Sequence, residues 1–279
     1  MEARLQRRVQ RYGWDLAVAS YEAAWRGPLA PAQSALLGLA ALQPGERVLD
    51  VACGTGLVAL EAARRVGPHG SVLGVDLSGR MVDEAIRQAA LSPANCRFAR
   101  MDAESLELAD QSVDVALCAL GLMYMPQPEQ ALREMRRVLR PGGRMVAVVW
   151  GERSACGWSE VFPIVDAEVA SEVCPLFFRL GGGDALAQAC ATNGFEVLAQ
   201  QRLTALLAFG DGAQACEGAF SGGPVALAWS RFDEPARQRV RQRYLDSIAC
   251  WSKAGRYEIP GEFVVVLALA ASTARPSGG

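Results

Sequence analysis

Nine residues, Val48-Leu49-Asp50-Val51-Ala52-Cys53-Gly54-Thr55-Gly56, constrain this chain more than any other stretch. Val48 to Val51 reads as a short buried strand. An acid, small residues and two glycines one residue apart complete the segment. An apolar, helix-favouring run, Leu57 to Val66, follows at once. Strand, glycine turn and helix start form the ligand-binding corner of a doubly wound α/β fold, where ligands sit at the carboxyl ends of the strands. Gly54 and Gly56 lack Cβ atoms, so the backbone can approach a ligand closely.

The acid at Asp50 separates two readings of that corner. Gly54, Gly56 and Ala59 satisfy the G-x-G-x-x-[GA] dinucleotide fingerprint, and Asp76 follows at the distance of a ribose-binding acid. A nicotinamide site would avoid an acid beside its phosphates. S-adenosylmethionine carries no phosphate, and its sulfonium and ammonium are cationic. Acids at Asp50, Asp76 and Asp102 suit that ligand better. The alternatives are an NAD-dependent dehydrogenase and a non-catalytic module that only binds S-adenosylmethionine.

A chain of 279 residues accommodates one large domain, or one with a sizeable insertion. A net charge of -2 argues against a broad basic surface, so no nucleic-acid partner is expected. The clearest basic cluster, Arg4, Arg7, Arg8 and Arg11, reads as the solvated face of a first helix. The late apolar run Phe263 to Ala271 is too short to span a bilayer. The N-terminus lacks a secretory apolar region, and Glu2, Asp15 and Glu22 argue against a transit peptide. Eight scattered cysteines form no C-x-x-C pair and no His–Cys cluster, so neither a metal site nor a disulfide framework is expected. Reduced thiols in a cytoplasmic protein are the expectation, and a homodimer is left open.

Residues 1–42 read as helical. Trp14, Tyr21 and Trp25 share one helix face. Gly27-Pro28 is expected to break this helix, with a second running from Pro31 to Leu42. Strands and helices then alternate: strands at 71–76, 96–101 and 113–118, and helices at 79–91, capped by Ser78, and 127–139. Pro141-Gly142-Gly143 turns into a strand at 144–150. This rhythm predicts a mostly parallel sheet covered on both faces. After Trp150 it breaks. Residues 151–182 read as irregular and aromatic, 184–193 as helix, 195–203 as strand, 210–257 as largely helical and 262–270 as the last strand. The domain reading is an N-terminal helical arm or lid, 1–45, a main domain, 46–271, with insertions at 151–182 and 210–257, and a disordered tail, 272–279.

The run from Arg47 to Gly151 resembles class I S-adenosylmethionine-dependent methyltransferases of the broad ubiquinone/menaquinone-biosynthesis (UbiE-like) kind. The residues that carry the resemblance are Val48–Gly56, Gly74-Val75-Asp76-Leu77-Ser78 with Met81, Met101-Asp102-Ala103-Glu104 with Ser112-Val113-Asp114-Val115, and Ala131-Leu132-Arg133-Glu134-Met135 through Leu139-Arg140-Pro141-Gly142-Gly143. It implies a Rossmann-like, doubly wound, seven-stranded sheet with helical insertions forming a lid. It implies methyl transfer from S-adenosylmethionine to a small, apolar or aromatic acceptor. Gly54 and Gly56 would line the methionine moiety, and Asp50, Thr55 and Cys118 are further expected cofactor-binding residues. Asp76 would hold the ribose hydroxyls. Leu77 and Met81 would flank the adenine, whose amine would meet Asp102 beside the Ala103 amide. Tyr21 would close over the cofactor.

Methyl transfer needs a base only if the acceptor must lose a proton. The single histidine, His69, precedes the second strand at the edge opposite the ligand, so it is not expected to act. Tyr124 and Glu152, after the fourth and fifth strands, are the candidate catalytic groups. Asp114 reads as structural.

Overall fold

The computed structural model describes residues 3–90, 95–169, 174 and 176–271. The predicted tail, 272–279, lies outside the described residues. The first helix, α1, runs unbroken over Ala3–Ala40, with Pro28 and Pro31 inside it. The break expected at Gly27-Pro28 does not occur. A proline costs about 3 kcal/mol in a helix interior, because it removes a donor and crowds the preceding turn. Packing outweighs that cost. Trp25, Leu29, Ala32, Leu36, Leu37 and Ala40 are buried in the main core. Each large apolar side chain so buried contributes about 1.5–3 kcal/mol. The Trp25 indole also donates to the Gly218 carbonyl at 3.2 Å.

The alternating region follows the expected order. It comprises β1 (Arg47–Val51), α2 (Leu57–Val66), β2 (Ser71–Asp76), α3 (Gly79–Ala89), β3 (Cys96–Arg100), β4 (Val113–Ala119), α4 (Pro128–Val138) and β5 (Leu139–Trp150). Then come α5 (Val161–Val169), α6 (Ala185–Thr192), β6 (Phe195–Phe209), α7 (Gly212–Cys216), α8 (Ala226–Trp229), α9 (Glu234–Ile248), β7 (Ser252–Lys253) and β8 (Arg256–Ala270). The sheet order is β3-β2-β1-β4-β5-β8-β6, with β7 paired to β8. Seven of these strands form the predicted Rossmann-like sheet, and the two-residue β7 is an addition. β1 pairs in parallel with both β2 and β4. The chain therefore winds outward in two directions from β1 and β4, and a crevice opens at their carboxyl ends.

Three boundaries differ from the sequence reading. β6 and β8 pair from Phe195↔Ala270 to Phe209↔Tyr257, well past the strands expected at 195–203 and 262–270. The extension seals Leu207, Phe209 and Ile259 into the core, which local propensity does not reveal. The turn expected at Pro141-Gly142-Gly143 is absorbed into β5 as an irregularity, where register jumps from Val113↔Leu139 to Val115↔Arg144. The stretch expected to be irregular after Trp150 contains α5, and its aromatics pack together, with Trp158 and Phe177 at 5.6 Å and Phe162 and Phe177 at 4.8 Å.

Polar contacts fix both edges of the sheet. At the amino edge, Asp114 accepts from the Arg47 amide at 2.8 Å and pairs with Arg140 at 2.9 Å. Burial raises the Asp114 carboxyl, but Arg47 and Arg140 outweigh it and hold the group below the ordinary range. At the other edge, Ser78 caps α3 by accepting from the Met81 amide at 3.1 Å, as its position predicts. The Ser78 hydroxyl donates to Asp15 at 2.6 Å, which pins α1 to the start of α3. No described helix is long and apolar enough to cross a membrane.

Candidate functional site

A cavity with about 1050 Å³ of empty space, counting its open mouth, occupies the crevice beyond β1, β2 and β4. A smaller one of about 280 Å³ adjoins it, and the two share Tyr21, Ala52 and Ala119 as walls. Two strained turns shape the junction. Ala52, after β1, and Leu120, after β4, both hold positive φ, at 57° and 59°. Such strain in non-glycine residues concentrates at functional sites. The two turns touch. A Cβ on Gly121 would lie 2.5 Å from that of Ala52, so only glycine allows the approach.

The glycine corner divides its work. Gly54 lines the large cavity, with φ 55°. Gly56 lines neither cavity. It starts α2 at φ 89°, and a Cβ there would meet the Phe98 ring at 2.8 Å. Asp76, at the end of β2, organises the turn. Its carboxylate accepts from the Gly54 amide at 2.9 Å and the Ser78 amide at 2.8 Å. Burial nevertheless raises its pKa. Each oxygen keeps a lone pair for a further donor.

Asp50 sits at the back of this corner, in the wall of the small cavity. It is fully buried, and among the described residues neither carboxylate oxygen has a hydrogen-bond partner of ordinary geometry, the Ala59 amide lying near it without completing one. Burial pushes its carboxyl up to about 8, the Ala59 amide offsets part of that rise, and Asp76 adds to it. The Thr55 hydroxyl in the same wall is likewise unpartnered. Orphaned buried groups are uncommon in native proteins and call for an explanation.

Of the other expected site residues, Tyr21, Leu77, Met81, Asp102, Ala103 and Tyr124 all line the large cavity. Cys118 does not. It is buried behind the Gly121 turn, and burial pushes its thiol up to about 12. Glu152 also lies outside both cavities, as an exposed residue whose amide donates to Glu262 at 3.0 Å. It follows β5 in sequence, but the turn there folds it away from the crevice toward the β6–β8 edge, 3.9 Å from Arg202. Tyr124 packs edge-on against Trp14 at 5.0 Å, and burial lifts its phenol well above the ordinary range. His69 is exposed in the turn before β2.

Several lining residues escaped the sequence reading. Arg7 reaches from α1 into the large cavity and pairs with Glu104 and, at 3.2 Å, with Asp102. It was assigned with Arg4, Arg8 and Arg11 to a solvated face. Its place seven residues before Trp14, and Trp14's seven before Tyr21, is the signal that puts all three on one face. Trp25, Trp150, Trp158 and the Gly222-Gly223-Pro224 turn complete the wall opposite the carboxylates.

Residues 48–143 of this chain match a family described as a methyltransferase domain. The demethylmenaquinone methyltransferase of Listeria welshimeri is 36% identical over 124 residues, which is 43% of this chain and 52% of that protein. The chain thus spans about half the length of the curated relatives it matches. Among solved structures, the geranyl diphosphate C-methyltransferase of Streptomyces coelicolor, bound to Mg²⁺, geranyl diphosphate and S-adenosyl-L-homocysteine, aligns with a TM-score of 0.53 at 16% identity, over 87% of this chain and 79% of that one. The [4+2]-cyclase SpnF aligns with a TM-score of 0.57 at 22% identity, over 86% and 80%. The fold therefore hosts more than one chemistry, and the reaction must be argued from the site.

Proposed function

We propose that this chain transfers a methyl group from S-adenosylmethionine to a small acceptor with an apolar or aromatic body. The observation that carries this reading is Asp50. An unpartnered buried carboxylate beside the glycine turn suits a cationic ligand and repels a pyrophosphate. It disfavours the dinucleotide alternative that the fingerprint alone left open.

On this reading Asp76, already held by two amides, offers its remaining lone pairs to the ribose hydroxyls. Leu77 and Met81 flank the adenine, near Asp102 and Ala103. Asp50, Thr55 and Tyr21 meet the amino-acid end, with Asp50 toward its ammonium. Bound there, the cofactor supplies a methyl carbon activated by its sulfonium. The protein's remaining task is alignment and exclusion of water, which together can remove roughly 7–11 kcal/mol of a barrier. Trp25, Trp150 and Trp158 hold the acceptor by its apolar body. Tyr124 stays neutral, since burial raises its phenol, so it serves as a hydrogen-bond donor and not as a base. We assign residues 1–45 the role of an arm over the cavity and residues 46–271 that of the catalytic domain. Eight unpaired cysteines support a cytoplasmic location.

Calorimetry decides the cofactor. Saturable binding of S-adenosylmethionine and S-adenosylhomocysteine, with none for NAD, is expected, and the reverse result ends the proposal. Incubation with labelled S-adenosylmethionine and a cell extract then separates an enzyme from a binding module. A labelled product is expected only from an enzyme.

A further inference from the structure

The outer face of α1 gathers three exposed large apolar side chains. Leu5, Tyr12 and Leu16 are 49%, 41% and 44% exposed. They recur at intervals of seven and four, so they lie along one stripe of the helix. Exposed Ala19 and Ala23 continue that stripe. Arg4, Arg8 and Arg11 run beside it, and the guanidiniums of Arg8 and Arg11 lie over the Tyr12 ring at 5.7 and 4.6 Å. The opposite face of the same helix supplies Arg7, Gln10, Trp14 and Tyr21 to the cavity wall. Arg7 is neutralised there by its acidic partners. Arg4 and Arg8 are exposed and Arg11 is half-buried, and none of the three has such a carboxylate partner among the described residues, on a chain whose net charge is -2.

We propose that this face of α1 docks on an anionic lipid bilayer. An apolar stripe flanked by arginines is the pattern of a helix that lies in the plane of a membrane interface. The arginines attract the headgroups, and Leu5, Tyr12 and Leu16 sink to the acyl boundary. Charge complementarity selects this occupant. In a symmetric pairing with a second copy the same arginines would face one another. From Leu5 to Leu16 the stripe spans about 16 Å along the helix axis. Docked this way, α1 stands between the bilayer and the cavity.

Flotation of the intact protein with lipid vesicles tests this without any assumption about the reaction. We expect it to float with phosphatidylcholine–phosphatidylglycerol vesicles, not with phosphatidylcholine alone, and to be released by added salt. Arg4→Gln with Arg8→Gln, and separately Leu5→Ser with Leu16→Ser, should each lower partitioning by about tenfold or more. Circular dichroism and cofactor binding should stay as in the parent, because these side chains face solvent. Absence of flotation, equal flotation of parent and variants, or equal binding to neutral vesicles would each overturn the proposal. So would a dimer in light scattering that only the Leu5/Leu16 variant dissolves, with no vesicle binding.

Discussion

The two walls of the large cavity are built by different rules. One wall comes from the ends of β1, β2 and the turn after β3, and it presents Gly54, Asp76, Asp102 and Ala103. Its polar groups are held by backbone amides within a few residues of a strand end. The other wall comes from α1, the end of β5 and two distant segments, and it presents Trp25, Trp150, Trp158 and Pro224. Its groups are held by long-range packing, such as Trp25 against Trp150 and Trp158, each at 6.3 Å. The first wall is polar and local. The second is apolar, and it is assembled only once the whole chain has folded. On the proposed reading the first carries the cofactor and the second chooses the acceptor.

The sharpest way to break that division is Asp76→Ala. Removing it takes away the carboxylate that accepts from two amides and the proposed ribose contacts. Hydrogen bonds to a charged group are worth about 1.5–3 kcal/mol each, so affinity for S-adenosylmethionine should fall by roughly 100-fold or more. Asp114→Ala should leave affinity nearly unchanged and lower the melting temperature, because Asp114 ties Arg47 and Arg140 at the opposite edge. Calorimetry and thermal unfolding on both variants check this, and equal affinities would sink the assignment of Asp76.

Asp50 gives a second, smaller effect with an opposite sign for stability and binding. Its pKa is raised to about 8 in the empty protein, so the folded state binds a proton that the unfolded state has already lost. Stability from this group therefore declines as pH rises from the unfolded carboxylate value toward about 8. Asp50→Asn should raise the stability of the empty protein at the upper end of that window, on the order of 1–3 kcal/mol. The same change should weaken cofactor binding. A cation beside Asp50 requires the carboxylate, so binding near neutral pH should release a proton. The apparent binding enthalpy should then vary with the buffer's ionisation heat, and that dependence should vanish in Asp50→Asn.

These contrasts also explain what could be seen in the sequence. The first wall was legible because its chemistry is short-range: Val48–Gly56 and Gly74–Ser78 carry strand, turn and acid in one unbroken run. The unbroken α1 was not legible. Pro28 forbids it locally, and only burial of Trp25 and Leu29 against distant strands permits it. Arg7 was missed because a cluster of arginines looks the same whether or not one of them turns inward. Glu152 was misplaced because proximity to a strand end in sequence does not fix which way the following turn folds. Gly222-Gly223-Pro224 reached the cavity through a region whose helix boundaries, α7 to α9, no periodicity had set.

Trp158→Leu sharpens the comparison from the other wall. It removes aromatic surface while keeping the site apolar, so cofactor affinity should change by less than about threefold. The KM for whatever acceptor the labelled-product experiment identifies should rise by about tenfold or more, as expected for losing roughly 1.4 kcal/mol of aromatic contact. A large loss of cofactor affinity would show that the two walls are not separate in function.

The smallest expected effect belongs to His69. It is the only histidine, the residue type most often used as a general base. Its place decides against a role. It is exposed in the turn between α2 and β2, at the amino edge of a sheet whose cavities open at the carboxyl edge. The length of β2, six residues, separates it from Asp76. At about 3.3 Å per residue that is roughly 20 Å, too far for proton transfer without a relay. His69→Ala should therefore leave the rate of methyl transfer and its pH profile unchanged within error. If it removed a limb of the pH profile while cofactor affinity and melting temperature stayed constant, proton removal would have to reach the amino edge. The mechanism by alignment between two walls would then be incomplete.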